Sequence, residues 1–162
     1  MYRFAAMIHI VIVLLSLVQN SDSVASRNAT LQSDLMAQAF LHQDYPTFER
    51  YAYPGLTRLL GGKDKLEAVL KQGRDMMDQQ GLQLNSIDMQ RPASIVKTPA
   101  TLQCVLRETM NYSTFTDTVY IIGVSRDKGL HWTFLNAGKK DLATLRKTFP
   151  ELSTELKIPA SQ

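Results

Sequence analysis

At Gly81 the chain changes its period, and this change constrains the fold more than any other feature of its 162 residues. Before Gly81 apolar residues recur at three- and four-residue steps; after it they alternate with polar ones. Residues 63–80 carry the clearest helical pattern, with Leu66, Val69, Leu70, Gly73, Met76 and Met77 on one face. Asp64 lies in the first turn, where the helix dipole favours an acid, and Gly81 supplies a left-handed terminator. Thr30 is read as the cap of an earlier helix to His42, whose stripe is Leu31, Leu35, Met36, Ala39 and Phe40. Asp44 caps and Pro46 opens a short helix through Arg50, and a further turn follows the Tyr53-Pro54-Gly55 break at residues 56–60.

Downstream, residues 82–89, 94–97, 101–112, 115–125 and 130–136 read as five strands. A last amphipathic turn at 142–149 precedes Pro150. Helices followed by a mostly antiparallel sheet predict an α+β domain.

The run Arg126-Asp127-Lys128-Gly129 predicts a type I turn closed by Gly129 in the left-handed conformation, a three-residue hairpin. That turn sets Ser125 opposite His131, Val124 opposite Trp132, Ile122 opposite Phe134 and Tyr120 opposite Asn136. Leu130, Trp132, Phe134, Val124, Ile122 and Tyr120 then share one bulky face toward the helices, with Trp132 packed on the long helix. His131, Ser125, Thr133 and Gly123 share the other, which makes His131 a surface residue rather than a base. Val119, Ile121 and Leu135 fall on this outer face, more apolar surface than a solvated sheet needs, and predict a homodimer through it.

The start Met1-Tyr2-Arg3, the apolar run at 4–18 and Ser23-Val24-Ala25 predict a signal peptide over residues 1–25, cleaved after Ala25. The run is shorter than the roughly 20 residues that span a bilayer, so no stable membrane anchor is expected after cleavage. Residues 26–162 then form one exported domain, periplasmic or secreted. The formal net charge is +3, both signs are interspersed, and the longest basic run is Lys139-Lys140. This is a solvated surface and excludes a nucleic-acid footprint. Cys104 is the single cysteine, so no internal disulfide forms; its alternation with Leu102 and Leu106 predicts a buried, inert thiol.

The sequence carries no nucleophile elbow, phosphate loop, HExxH or CxxC, and its histidines and lone cysteine do not make a zinc site. No metal and no cofactor are expected. Paired polar groups remain for acid–base work: Tyr120 on the fourth strand, with Arg107 and Glu108 on its neighbour, one facing in and one out. The turn at 111–114 lacks a glycine and leaves open which is which. A ligand pocket is drawn from Phe40, Tyr45, Phe48, Tyr51, Met77, Tyr120 and Trp132, because aromatics with a few convergent hydroxyls suit a small molecule.

Four local patterns also carry a resemblance: Asp44-Tyr45; Tyr53-Pro54 through Leu59-Leu60-Gly61-Gly62-Lys63; VSRDKGLHWTF from Val124 to Phe134; and Phe149-Pro150-Glu151-Leu152 to Ile158-Pro159. Across residues 29–159 the chain resembles the nuclear transport factor 2-like superfamily, also called the cystatin-like cone fold, and within it the small exported, uncharacterised bacterial members. The resemblance implies a curved antiparallel sheet wrapped around helices, leaving a conical cavity. The superfamily holds isomerases, dehydratases, hydrolases, cyclases and non-catalytic modules, so fold alone does not select among them. The expected function is binding of a small, partly apolar ligand or peptide in the cone. The alternatives are a cofactor-free lyase, isomerase or hydrolase, and a dimerising interaction module.

Overall fold

The computed structural model describes residues 2–138 and 140–159, with side chains from Asp22 onward. The side chains of the apolar run at 4–18 lie outside the described residues. The elements follow in the order α1 (Tyr2–Leu41), α2 (Tyr45–Tyr51), α3 (Pro54–Leu60), α4 (Lys63–Gln79), β1 (Leu84–Met89), β2 (Ile95–Lys97), β3 (Leu102–Tyr112), β4 (Thr116–Ser125), β5 (Thr133–Gly138) and α5 (Leu142–Thr148). The strands are paired antiparallel in the order β1-β3-β4-β5, with β2 added to β3, in a sheet that does not close. The fold is α+β, as the change of period at Gly81 predicts. Asp44 caps α2 by accepting the Thr47 N–H at 3.1 Å, and Gly61 ends α3 with φ 97°.

The first helix departs from expectation. Thr30 is no cap: its hydroxyl donates to the Ser26 carbonyl at 3.0 Å, the back-bond of a residue inside a helix. The buried residues are Ala25, Ala29, Ser33, Met36, Ala37 and Ala39; of the expected stripe Met36 and Ala39 are buried and Phe40 half-buried, while Leu31 and Leu35 are 58% and 44% exposed. Polar side chains turn the helix this way. Asn28 and Gln32 donate to the carbonyls of Gly129 and Leu130 at 2.9 and 2.7 Å, and the Trp132 N–H donates to Gln32 Oε1 at 2.8 Å. The small Ala25 lets helix and loop touch; a Cβ added at Gly129 would lie 2.5 Å from the Ala25 Cβ. The expected cleavage after Ala25 falls inside this helix. It would remove a buried residue and the Asp22–Lys97 ion pair at 2.8 Å.

The β4–β5 connection is wider than the three-residue turn. Asp127 organises it: Oδ1 accepts from the Ser125 hydroxyl and the His131 N–H, both at 2.9 Å, and Ser125 Oγ accepts the Gly129 N–H at 2.9 Å. Lys128 and Gly129 both have positive φ, 61° and 87°. The loop therefore takes residues 126–132, and the strands pair as Val124–Thr133, Gly123–Phe134, Ile122–Leu135 and Ile121–Asn136. This is one position away from the predicted register, and a one-residue slip moves side chains to opposite faces. Phe134 now sits with Ile121 and Gly123. Tyr120, Ile122 and Val124 face the other way, contrary to expectation.

Both faces are covered. Cys104, Leu106, Ile121, Trp132 and Phe134 pack on Ala25, Ala29 and Met36 of α1. Trp132 is therefore held by α1 and not by the helix expected at residues 63–80. That helix, α4, packs on α2 and α3 with only Leu66 buried, leaving Val69 and Met76 about half exposed. On the opposite face Ile122, Val124, Leu135 and Ala137 lie under Leu145, Phe149, Leu152 and Leu156. The buried Gln103 straps this tail down, donating to the Glu151 carbonyl and accepting the Ser153 N–H, each at 2.9 Å. Val119, Ile121 and Leu135 are thus buried within the chain, and the apolar outer face expected to support a dimer is not there.

Candidate functional site

Alternation along β3 and β4 places Gln103, Val105 and Arg107 on the tail-covered face, together with Val124, Ile122, Tyr120, Thr118 and Thr116. Leu152 and Leu156 of the tail join the cluster over Val124 and Ile122, and beside the tail a groove of about 1000 Å³ opens. Val105, Arg107, Thr118 and Tyr120 form its floor. One wall is the detour from Gln90 to Ser94 between β1 and β2, pinned by buried Pro92 and by the Gln90 N–H donating to the Arg107 carbonyl at 2.9 Å. The other wall is Glu155, Leu156, Lys157 and Pro159.

Arg107 and Tyr120 are directly opposite each other in the register, which brings their Cβ atoms to about 5 Å on one face. Arg91 and Lys157 also line the groove, as do Asp117 and Glu155. Among the described residues neither Arg91 nor Arg107 has an ion-pair partner. Guanidinium forks in a cleft with hydroxyls and an apolar wall can hold a planar anion while the rest of the ligand lies on Val96, Val105 and Leu156.

The three candidate catalytic residues divide. Arg107 and Tyr120 converge; Glu108 has the opposite parity and points to the α1 face, between Met89 and Val119 on the neighbouring strands. Desolvation there raises its pKa from 4.5 to about 7. The structure thus settles the question left by the glycine-free turn: Arg107 faces the groove, Glu108 the helix.

Of the expected ligand-binding set, only Tyr120 lines the groove. Trp132 is 1% exposed and belongs to the core. Phe40 and Phe48 pack ring to ring with centroids 6.0 Å apart, and Tyr51 joins Phe48 against the α1-face cluster. Tyr45 is buried beneath the Lys71 ammonium, 5.7 Å from its ring, and the Met77 sulfur lies 3.8 Å from the Tyr112 hydroxyl. These side chains close the helical end of the domain. The interior the resemblance assigns to a cavity is filled by Met36, Leu106, Ile121 and Phe134.

Sequence reasoning missed Arg91, Leu156 and Lys157. The signal for the tail was present in Leu152, Leu156 and Ile158, apolar residues spaced along a segment with no period of its own, as a strap over a sheet requires. A smaller concavity of about 600 Å³ lies among α2, α3 and the start of α4, where Lys63 pairs with Glu49. Among the described residues no group of three or more His, Cys, Asp or Glu is placed to hold a metal ion.

No family model matches the chain, and no curated protein matches it. Among solved structures it is similar to an NTF2-like protein of unknown function from Burkholderia pseudomallei K96243, at 14% identity and a TM-score of 0.36, over 75% of this chain and 96% of that one.

Proposed function

We propose that this chain is an exported module that binds a small, partly apolar ligand or a short peptide in the groove beside its C-terminal tail. One observation carries the reading: Arg107 and Tyr120 stand opposite each other on the floor of a cleft of about 1000 Å³, a volume at the upper end of small-molecule sites. Val96, Val105, Leu156 and Pro159 supply apolar contact, and Ser94, Thr116, Thr118 and Gln90 supply hydrogen bonds. Turnover has less support, because the carboxyl with a pKa near neutrality, Glu108, is on the other side of the sheet from Tyr120.

Thermal-shift screening of the full chain against small metabolites and short peptides tests the reading, with Val105→Trp as the partner variant that fills the groove floor. Ligand-induced rises in Tm are expected for the native chain and not for the variant. Rises that survive Val105→Trp would place binding elsewhere and sink the proposal.

Export rests on the basic start and the apolar run. A processed chain that keeps Asp22 and Ala25 retains the Lys97 ion pair and the helix–loop contact. We therefore place cleavage upstream of Asp22. N-terminal sequencing of the exported protein checks this, and a start at Ser26 would overturn it.

A further inference from the structure

We infer that the ligand of the groove is an amphipathic monocarboxylate, its carboxylate held by Arg91 and Arg107 and its apolar body laid along Val96, Val105, Leu156 and the Tyr120 ring. This rests on the groove being the binding site. Three features of the lining select the class.

First, two guanidinium groups reach one cleft from adjacent segments, since the Gln90 N–H bonds the Arg107 carbonyl and Arg91 follows directly. Neither has an ion-pair partner among the described residues. Planar forks match the two oxygens of a carboxylate, and such charge-assisted bonds are about twice as strong as neutral ones. A neutral sugar or alcohol would make none of these charge-assisted bonds.

Second, Glu155 lines the same groove, as does Asp117, which has a partner of its own. A phosphate dianion would set its second charge against the Glu155 carboxylate, which suits a monoanion better. Third, the floor and tail wall are apolar where the cations are not, and buried CH₂ groups there stabilise a ligand with a hydrocarbon body.

Isothermal titration calorimetry on the full chain with octanoate, octanol and inorganic phosphate tests the assignment. Octanoate is expected to bind at least about tenfold more tightly than octanol, from the charge-assisted hydrogen bonds it alone makes, and more tightly than phosphate. Replacing both arginines, Arg91→Gln with Arg107→Gln, should bring octanoate down to the affinity of octanol and leave octanol unchanged. Arg91→Lys with Arg107→Lys, which keeps the charge and loses the fork, should retain only part of the preference and serves if the Gln pair fails to fold.

Equal binding of octanoate and octanol overturns the proposal, as does tightest binding of phosphate, an octanoate preference that outlives the arginine substitutions, or no binding by any probe. Val105→Trp separates this failure from failure of the groove itself. If that variant abolishes binding of both octanoate and octanol while the two bind the native chain equally, the groove stands and the carboxylate falls. If both still bind the variant, the groove reading fails with it.

Discussion

On the α1 face of the sheet, Cys104, Leu106, Ile121, Trp132 and Phe134 meet Ala25, Ala29 and Met36, and none of these is more than 6% exposed. On the opposite face Ile122, Val124 and Leu135 are just as well covered, but by α5 and an irregular tail, and a groove lies between that tail and Arg107 and Thr118. The same strands supply both faces. On the first face Ala25, Ala29 and Met36 of α1 meet the sheet side chains directly, and close packing leaves no room for a ligand among them. On the other face the tail and the detour at residues 90–94 stand apart, and the groove lies between them over Arg107, Thr118 and Tyr120. The proposed site lies between two irregular segments, not where aromatic residues are densest.

The comparison breaks most sharply at Trp132. Trp132→Ala should cost about 3–5 kcal/mol, as large aromatic deletions in cores do, because the indole is 1% exposed and its Nε1–H donates to the Gly129 carbonyl at 3.1 Å. Chemical denaturation measures this. A loss near 1 kcal/mol would mean that the α1 face is not the closed face.

Glu108 sharpens the same contrast through pH. Its folded pKa is raised to about 7 from 4.5 by burial, so the folded state holds a proton that the unfolded chain has lost. The sign follows: stability from this group is highest below about pH 4.5, falls as pH rises, and levels off above pH 7. At about 1.4 kcal/mol per pKa unit the fall is about 3 kcal/mol. Denaturation curves across pH 4–8 should show this slope as the difference between the native chain and Glu108→Gln. Parallel pH profiles would show that Glu108 reaches water, and the α1 face would no longer be dry.

Gly123→Ala probes the closed face with one added carbon. The new Cβ would come within 2.9 Å of the Cys104 sulfur, 3.1 Å of the Trp132 ring and 3.2 Å of the Phe134 ring. A cost of about 1–3 kcal/mol is expected from overpacking. A neutral result in urea denaturation would show that this cluster has slack.

Much of this was legible from residues alone, for reasons of local chemistry. Asp44, Pro46, Gly61 and the period change at Gly81 each act within a turn of themselves, so α2 to α5 and the five strands fall close to where pattern and caps put them. Two failures are instructive. In α1 the face toward the sheet includes Met36, which the apolar stripe caught, but its N-terminal part is Ala25, Asn28, Ala29, Gln32 and Ser33, which no count of large apolar residues detects; the partners that select it are about a hundred residues away. In the β4–β5 loop one carboxylate, Asp127, gathers enough hydrogen bonds to widen the turn, and the single added residue turns Tyr120, Ile122 and Val124 of β4 to the opposite face while Trp132 and Phe134 stay toward the helices, as predicted. Tyr120 was grouped with Arg107 and Glu108 because the three fall on neighbouring strands, but which of the two faces it was left open, and the β3–β4 register alone sets Arg107 opposite Tyr120. Arg91 and Lys157 come from segments without period, and only the folded chain brings them to the site.

The smallest expected effect belongs to His131, whose side chain is 86% exposed. Its Nδ1 lies 2.5 Å from Asp127 Oδ2, but the loop is organised by other bonds. Desolvation works against the Asp127 carboxylate, yet the His131 N–H, the His131 ring and the Ser125 hydroxyl outweigh it and hold the pKa down to about 2. Two of those contacts do not need the imidazole: Ser125 Oγ and the His131 backbone N–H remain after truncation. His131→Ala should therefore cost well under about 1 kcal/mol, the scale of an exposed ion pair, and leave groove binding unchanged. Asp127→Ala removes the acceptor for all three and should cost more than His131→Ala in the same denaturation series. The order matters more than either value. If His131→Ala costs as much as Asp127→Ala, the ring itself holds the loop, and the register of β5, with every face assignment that depends on it, answers to a residue the structure leaves in water.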